Sequence, residues 1–392
     1  SLALDSGSAI ALTARPAAIM EVPSGAILAA GAGNHSIDSS FTALTTGGSR
    51  DYTVYVTTAA STLTVGAALT SAVPLVKSGA GTLALTNTGN LFTDVYLNQG
   101  TLVIDDLDKV NNTTGTLRFF GGGLQLAAGW TDDPSTKTWD INTGGGSLDV
   151  GLVTAGVTLA NGLDDSTAGS ADSLNIFTRA TGATGVVGQL TIQGASSFTG
   201  TTIIRNAFID SGIINGVVLN GTTNAVINGN LEIGNVVNIN NNFDAVVALG
   251  ADEQIVDTAS ITFRGASGEN AYFKLMGFTE TVAGLSDTTA QGLVETLQDS
   301  ESGVATNGKI IVSSSADFSF NGFIRNRGAG ANTRTLAFEK QGTGTQTLSG
   351  ANITYTGATT ISGGTLQLTD TTAFSAASAI TNNANLTINR TT

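Results

Sequence analysis

The feature that most constrains the fold is a short run of alternating polar and apolar residues that recurs along the chain. Its clearest copy lies within residues 336–370, where residues 345–349 and 365–368 alternate and glycine or asparagine stands at each break. A period of two between turn residues is typical of half-buried β-strands. The stretch contains no helical spacing. It therefore predicts short strands joined by tight turns.

The same unit occurs three times, at residues 77–104, 189–209 and 340–368. The run K-S-G-A-G-T that opens the first copy matches K-Q-G-T-G-T of the third position by position. The second copy lacks this opening, but its F-T-G run matches the Y-T-G run of the third. Self-similarity of this kind predicts a repeat architecture in which each unit buries its apolar face on its neighbours.

The pattern K-x-G-x-G-T-x-x-L, followed by aromatic-T-G and T-x-I-x-x-G-T-L, resembles the passenger-associated transport repeat. That repeat occurs in autotransporter passenger domains and in very large bacterial surface proteins. The resemblance implies an all-β fold, a right-handed parallel β-helix exported to the bacterial cell surface. It implies no catalytic residues, because the repeats form a scaffold.

We therefore expect a single β-solenoid over residues 1–392 with coils of about 20–25 residues. Polar or irregular stretches at 129–142, 163–173 and 286–302 are expected to be loop insertions, the last with one helical turn. Alternation places the leucines that follow the Gly-Thr pairs in the core. The predicted core residues are Leu85, Leu102, Leu348, Leu366 and Leu368.

Composition supports a folded β-protein and narrows its chemistry. Charged residues make up 12% of the chain, about half of what a soluble domain usually carries, and 41% of residues are apolar. Apolar residues at this level, in alternation, argue against disorder. The chain has no Cys and one His, which excludes a thiol catalyst and a multi-His metal site.

The net charge of −14 argues against nucleic acid as a partner, because a nucleic-acid surface needs a basic stripe. An acidic chain suits an extracellular surface, where charge maintains solubility. No stretch reaches the roughly 18 apolar residues of a membrane helix, so no membrane span is expected within this chain.

Paired acids at 105–108, 132–133 and 164–165 raise the alternative of a polysaccharide-active enzyme. Glycosidases need two carboxylates held roughly 5–9 Å apart, and no His or Arg cluster accompanies these pairs. We expect them to be solvated turn acids, and His35 to be an exposed turn residue. Residues 144–150 resemble a single imperfect calcium nonapeptide, so no metal and no cofactor is expected.

Trp130 and Trp139 flank Asp132 and Asp133 in a stretch that looks like a loop leaving the coil. Two interpretations remain open. The four residues could form a glycan-contact loop, with the indoles stacking on sugar rings. Alternatively the indoles could form a small core that pins the loop.

The sequence thus favours a non-catalytic extracellular protein that acts as a surface spacer, an adhesin stalk or a filament subunit. Neither end shows an amphipathic capping helix, and charges are scarce there. Uncapped strand edges favour pairing, so the expected partners are other copies or adjacent solenoid segments stacked end to end. Surface glycans or other cells are further possible partners. A polysaccharide-active enzyme and a trimeric phage tail fibre or tailspike remain as alternatives.

Overall fold

The structure is a computed structural model, and it describes most of the 392 residues. The described ranges are 1–14, 18–48, 50–110, 115–153, 155–163, 165, 172–178, 180–181, 186–205, 216–222, 225–234, 245–264, 270–287, 292–295, 307–326, 334–349, 353–369, 374 and 378–389.

The described secondary structure is almost all strand, with two short 3-10 helices at Leu107–Val110 and Pro134–Thr136. The first strands are β1 (Leu2–Asp5), β2 (Ala11–Leu12), β3 (Ala18–Glu21), β4 (Ala26–Ala30), β5 (His35–Ile37), β6 (Phe41–Thr45), β7 (Tyr52–Val56), β8 (Thr62–Val65), β9 (Ala68–Leu69), β10 (Val73–Ser78), β11 (Thr82–Leu85), β12 (Phe92–Leu97), β13 (Thr101–Ile104), β14 (Thr116–Phe119), β15 (Gly123–Leu126), β16 (Thr138–Ile141) and β17 (Gly146–Asp149).

The later strands are of similar length. They are β18 (Val157–Leu159), β19 (Ser173–Phe177), β20 (Ala180–Thr181), β21 (Val186–Val187), β22 (Leu190–Ile192), β23 (Thr201–Arg205), β24 (Val217–Leu219), β25 (Leu231–Ile233), β26 (Ala245–Leu249), β27 (Ser260–Phe263), β28 (Ala271–Lys274), β29 (Thr279–Val282), β30 (Gly284–Asp287), β31 (Gly292–Glu295), β32 (Gly308–Ser313), β33 (Phe318–Phe320), β34 (Phe323–Arg325), β35 (Leu336–Gln341), β36 (Thr345–Leu348), β37 (Thr359–Ile361), β38 (Thr365–Thr369), β39 (Ile380–Asn382) and β40 (Asn385–Asn389).

Contacts divide the chain into two compact units, Ser1–Val157 with Asp164–Asn175, and Thr158–Leu163 with Ile176–Thr392. In the first unit, successive strands turn onto different sheets, and each pairs in parallel with the equivalent strand of the next coil. The order β1-β4-β7-β10-β12-β14-β16 forms one sheet, β2-β5-β8-β11-β13-β15-β17 runs along a second, and β3-β6-β9 forms a third. The first unit is therefore a parallel β-helix.

The second unit repeats this plan. Its sheets contain the orders β22-β24-β26-β28-β31-β34, β23-β25-β27-β30, β29-β32-β35-β37-β39 and β33-β36-β38-β40. The pairings between these strands are parallel, and among the described residues only the short pair β20–β21 is antiparallel. The predicted parallel β-helix is confirmed, while the single solenoid over 1–392 stays a prediction.

Coil length varies more than the sequence predicts. Leu75 pairs with Val95, twenty residues on, whereas Val217 pairs with Val247, thirty residues on. The strands themselves stay at two to six residues, so the extra residues lie in the turns between them. The predicted upper limit of 25 residues per coil is therefore too short.

Inward and outward side chains alternate along the strands, as a period of two requires. All five leucines that the sequence places in the core are at most 3% exposed. Burial of each such side chain contributes about 1.5–3 kcal/mol. These leucines thus lie in a stacked interior that also contains the largest buried aromatic side chains.

The predicted insertions differ in outcome. Within 129–142 the irregular part is shorter than predicted, because residues 138–141 form β16, paired with β14. Within 286–302, residues 292–295 form β31 instead of a helical turn, because they pair with β28 and β34. Most of 163–173, and Leu297 of the predicted turn, lie outside the described residues.

Candidate functional site

The lysine that opens the first repeat points into the solenoid. Lys77 lies on the inward face of β10, between Val54 and Leu97 of the neighbouring strands, and is fully buried. Its ammonium donates to the carbonyl oxygens of Ser78 at 3.0 Å, Gly79 at 2.7 Å and Gln99 at 2.9 Å. Because Gln99 belongs to the next coil, this side chain joins the turns of two coils.

The lysine of the third repeat is placed in the same way. Lys340 lies on β35 between Val312 and Ile361, and its exposed fraction is 2%. Its ammonium donates to the carbonyl of Gln341, to that of Gly342 at 3.3 Å, and to that of Gly363 of the next coil at 3.5 Å. The two lysines thus form one recurring arrangement, which we term the lysine clip.

Burial has an electrostatic consequence for the clip. Removal from water lowers the pKa of Lys77 to about 8, because the charged form loses its hydration. Burial also lowers the pKa of Lys340, while Asp317 acts in the opposite direction. The charge of Lys77 is met by three carbonyl dipoles, a geometry that suits structural support.

The glycine before the Thr-Leu strand of the next coil has a left-handed backbone in both repeats, and in the first repeat it makes room for the clip. Gly100 and Gly364 have φ angles of +69° and +58°, in the left-handed region that favours glycine. A Cβ on Gly100 would lie 2.8 Å from the Lys77 Nζ and 2.3 Å from the carbonyl oxygen of Gly81. The Gly-Thr-Leu signature of the repeat is therefore a steric requirement of the stacked turns.

Lys77 and Lys340 occupy equivalent positions of the repeat, but the sequence alone predicts no role for them. The signal was available, since each lysine stands two residues after an inward apolar residue, Leu75 or Phe338. A pattern based on hydrophobicity alone does not predict a buried lysine at an inward position, because lysines are almost never fully buried.

Each repeat also buries its aromatic residue. Phe92, Phe198 and Tyr355 are at most 1% exposed. The Tyr355 hydroxyl forms a 2.7 Å hydrogen bond with the Thr359 hydroxyl, so its polar end is satisfied. Burial raises the pKa of Tyr355 well above its usual range. These rings therefore serve packing.

A buried carboxyl joins coils at another corner. Glu280, on β29, is fully buried and accepts hydrogen bonds from the N–H groups of Gln254 at 2.8 Å and Ile255 at 3.0 Å. Burial raises the pKa of Glu280 to about 8, with the two N–H donors opposing this and the charges of Glu253 and Asp257 adding to it.

Neighbouring acids complete this corner. Asp252 accepts from the Thr279 N–H at 2.6 Å, and Glu253 accepts from the Thr281 N–H at 3.0 Å. β29 is the edge strand of its sheet, so these carboxylates take the place of a strand partner. Glu280, Asp252 and Glu253 thus each accept hydrogen bonds from backbone N–H groups of another coil.

The structure draws Trp130, Trp139, Asp132 and Asp133 into internal contacts. The indoles are 1% and 2% exposed, and their N–H groups donate to the carbonyls of Asp132 at 2.8 Å and Pro134 at 2.9 Å. The Trp139 ring lies 5.3 Å from that of Phe119. Neither buried indole offers a face to a sugar, which corrects the glycan-contact interpretation in favour of a pinned loop.

The paired carboxylates of this loop are engaged separately. Asp132 accepts from the Leu107 N–H at 2.8 Å, while Asp133 caps the 3-10 helix at Pro134–Thr136 through the Ser135 N–H at 2.9 Å. Each therefore binds a different backbone segment. Nothing in this arrangement resembles two carboxylates aimed at one bond.

His35 is buried, which corrects the expectation of an exposed turn residue. It lies on β5, its Nδ1 accepts from the Ile10 N–H at 3.2 Å, and its Nε2 donates to the Ala30 carbonyl at 3.0 Å. The ring thus bridges two coils with both nitrogens occupied. Within the described ranges, no three His, Asp or Glu side chains gather as a metal ion would require.

Comparison with known families gives the recurring unit a name. The family model described as the passenger-associated-transport-repeat matches residues 75–104, 187–207 and 338–368. The chain carries passenger-associated-transport-repeats. Searches of curated proteins and of solved structures gave no match.

The first and third matches begin two residues before the predicted copies, so they include more of the strands that carry the lysine clip. Passenger-associated-transport-repeats belong to autotransporter passengers, which implies a secreted or cell-surface protein, and they are not known as catalytic. The described residues contain no helix long and apolar enough to cross a membrane.

Proposed function

We propose that this chain is a non-catalytic extracellular β-helical protein that acts as a surface spacer or adhesin stalk, or as a filament subunit. The observation that supports it best is the use of buried polar side chains. Lys77, Lys340 and Glu280 each bind backbone groups of another coil, as a scaffold requires. A catalytic site would leave such groups free for a substrate.

The proposed partners are adjacent solenoid segments or other copies stacked end to end. Strand β40 pairs with β38, and Leu386 and Ile388 stand in register on the buried Leu366 and Leu368. Ile388 is 63% exposed, so the inward column continues to a residue that no described coil covers. A second copy stacked on β40 would cover it.

Sedimentation velocity over a range of concentrations tests the filament version of this proposal. We expect the chain to associate and an Ile388→Lys variant to associate less, because an ammonium would face the joint. Leu91→Lys, at an exposed aliphatic residue away from β40, is the matched control. A monomer at every concentration would exclude both the filament and a trimeric fibre, and would leave the spacer.

The enzyme alternative has its own readout. We expect no release of reducing ends or unsaturated products from neutral or acidic polysaccharides, because Asp132 and Asp133 are occupied by backbone donors. Turnover that disappears in Asp132→Asn or Asp133→Asn would overturn the non-catalytic reading.

A further inference from the structure

The outward face of the first unit carries a row of exposed aromatic and polar side chains. Tyr55 on β7 is 45% exposed, and Phe120, directly after β14, is 38% exposed. Between them, Ser78 pairs in register with Tyr55, and Asn98 follows the residue paired with Lys77. We term Tyr55, Ser78, Asn98 and Phe120, with Tyr96, the aromatic shelf.

Alternation explains why the shelf faces outward. Ser78, Asn98 and Phe120 each follow an inward residue, namely Lys77, Leu97 and Phe119, which are in register with one another. The same register that builds the lysine clip therefore places three side chains in one row on the outer surface. That row crosses neighbouring strands of a parallel sheet.

Two of the three aromatic rings of the shelf, Tyr96 and Phe120, are held in place. Tyr96 and Phe120 are stacked, with ring centroids 6.2 Å apart and planes 13° from parallel. The Arg118 guanidinium lies 5.7 Å from the centre of the Tyr96 ring and is itself paired with Asp140. Rings fixed in this way lose little side-chain entropy when a ligand packs on them.

Polar groups fill the space between the rings. The Asn98 amide nitrogen lies 3.4 Å from the Ser78 hydroxyl, and its amide oxygen accepts no hydrogen bond from the described part of the chain. An exposed hydroxyl and amide between aromatic rings can bind hydroxyl groups while the rings pack on apolar C–H faces. Sugar rings combine these two kinds of surface.

We propose that the aromatic shelf binds an uncharged oligosaccharide that lies across the strands. Tyr55 and Phe120 are three strands apart, so at a strand spacing of about 4.8 Å they are about 14 Å apart, longer than one sugar ring. Arg118 is flanked by Asp94 and Asp140, and the chain carries a charge of −14. An acidic glycan would therefore be repelled.

The extent of the shelf favours a glycan over a protein partner. A specific protein interface needs about 800 Å² and 20–30 residues on each side, whereas the shelf consists of five side chains. The proposal goes beyond the spacer role, because a spacer needs no ligand. Neither depends on the other.

Titration calorimetry on the whole chain tests the proposal with named probes. These are the hexamers of β-1,4-linked glucose, α-1,4-linked glucose and β-1,4-linked N-acetylglucosamine, with a galacturonic acid hexamer as the charged comparison. We expect at least one neutral hexamer to bind, and the charged one to bind more weakly or not at all.

Matched variants assign the binding to the shelf. Tyr55→Ala with Phe120→Ala should weaken it about tenfold or more, because two aromatic contacts are lost. Ile19→Ala with Leu91→Ala, which removes two exposed side chains outside the shelf, should leave it unchanged. All four side chains are exposed, so circular dichroism should match the unaltered chain.

Three results would overturn the proposal. The first is the absence of heat with every neutral hexamer, and the second is equal binding by the Tyr55→Ala, Phe120→Ala variant. The third is tighter binding of the galacturonic acid hexamer. If the unaltered chain forms dimers and the Tyr55→Ala, Phe120→Ala variant does not, the shelf binds a second copy of the chain and the glycan proposal is wrong.

Discussion

Single buried polar side chains join neighbouring coils throughout this fold. Lys77 binds the carbonyl of Gln99, Glu280 binds the N–H of Gln254, and His35 bridges Ile10 and Ala30. In each case the side chain forms hydrogen bonds with backbone groups at or next to a turn. Buried backbone groups without a partner are costly, so these side chains stabilise the stacked turns.

The lysine clip predicts the effect of Lys77→Met. The change keeps an apolar stem but leaves three carbonyls without their donor, and an unsatisfied buried acceptor costs about 1–3 kcal/mol. We expect the free energy of unfolding in urea to fall by an amount on the order of 3 kcal/mol. Val76→Met, at the outward neighbour on β10, should leave it nearly unchanged. A midpoint that rises in Lys77→Met would mean that the cost of burying the charge outweighs its hydrogen bonds.

Glu280 predicts a dependence of stability on pH. Its pKa is about 8 in the folded chain, against 4.5 for the free group. The folded state therefore holds the proton when the unfolded state has lost it, so the contribution of Glu280 to stability falls as pH rises from 4.5 to about 8.

Urea unfolding at several pH values within this interval measures the effect. Glu280→Gln should be less stable at the acidic end, because an amide group faces one of the two N–H donors, and it should lack the decline assigned to Glu280. The exposed Glu21→Gln serves as the control and should follow the unaltered chain. Parallel profiles for Glu280→Gln and the unaltered chain would contradict the account.

The alternation of polar and apolar residues predicts the burial of some side chains and not of others. Leu366 and Leu368 alternate with polar neighbours, so their burial follows from a period of two. Lys77 and His35 also obey that period, but their side-chain chemistry argued for the surface. Their burial depends on carbonyls and N–H groups of other coils, which no local pattern reveals.

At the scale of the strand, side chains also bridge gaps in the sheets. Strand β30, which contains Leu285, belongs to a different sheet from β33 and its partner β36. The side chain of Gln346, on β36, nevertheless reaches the backbone of Leu285. It accepts from the Leu285 N–H and donates to the Leu285 carbonyl, both at 3.0 Å. The amide group thus takes the place of a missing strand partner.

This bridge predicts the effect of Gln346→Leu. Leucine suits an inward position, but it would leave the buried N–H and carbonyl of Leu285 unsatisfied, at a cost on the order of 2 kcal/mol. Gln367→Leu, at an outward glutamine on β38, should have little effect. Hydrogen exchange at the Leu285 amide should also accelerate in Gln346→Leu alone. Unchanged exchange there would show that the side chain does not protect this edge.

The strands could be predicted and the coil lengths could not, for one physical reason. Alternation records which face of a strand is buried, so β36 and β38 are visible in the sequence. A turn between sheets carries no periodic signal, and it can lengthen without disturbing the strands that it joins. The glycan-contact interpretation failed similarly, because the sequence shows an aromatic residue but not the burial of its ring.

At the scale of the whole molecule, the central claim is a shared register. Thr82 pairs with Thr101 in the first unit, and Thr345 pairs with Thr365 in the second, one coil apart in each case. Both pairs lie in passenger-associated-transport-repeats. The same geometry recurring in both units is what a spacer built from repeats requires.

Disulfide formation tests this register most directly, because the chain contains no cysteine of its own. Partners on neighbouring strands lie about 4.8 Å apart, within the range that a disulfide spans. Under mild oxidation, the double variants Thr82→Cys with Thr101→Cys and Thr345→Cys with Thr365→Cys should each form an intramolecular bond, detected by mass spectrometry of unreduced peptides. Thr82→Cys with Val103→Cys, shifted by two residues, should form far less. Efficient bonding in the shifted variant, or none in the registered ones, would contradict the stacked-coil structure.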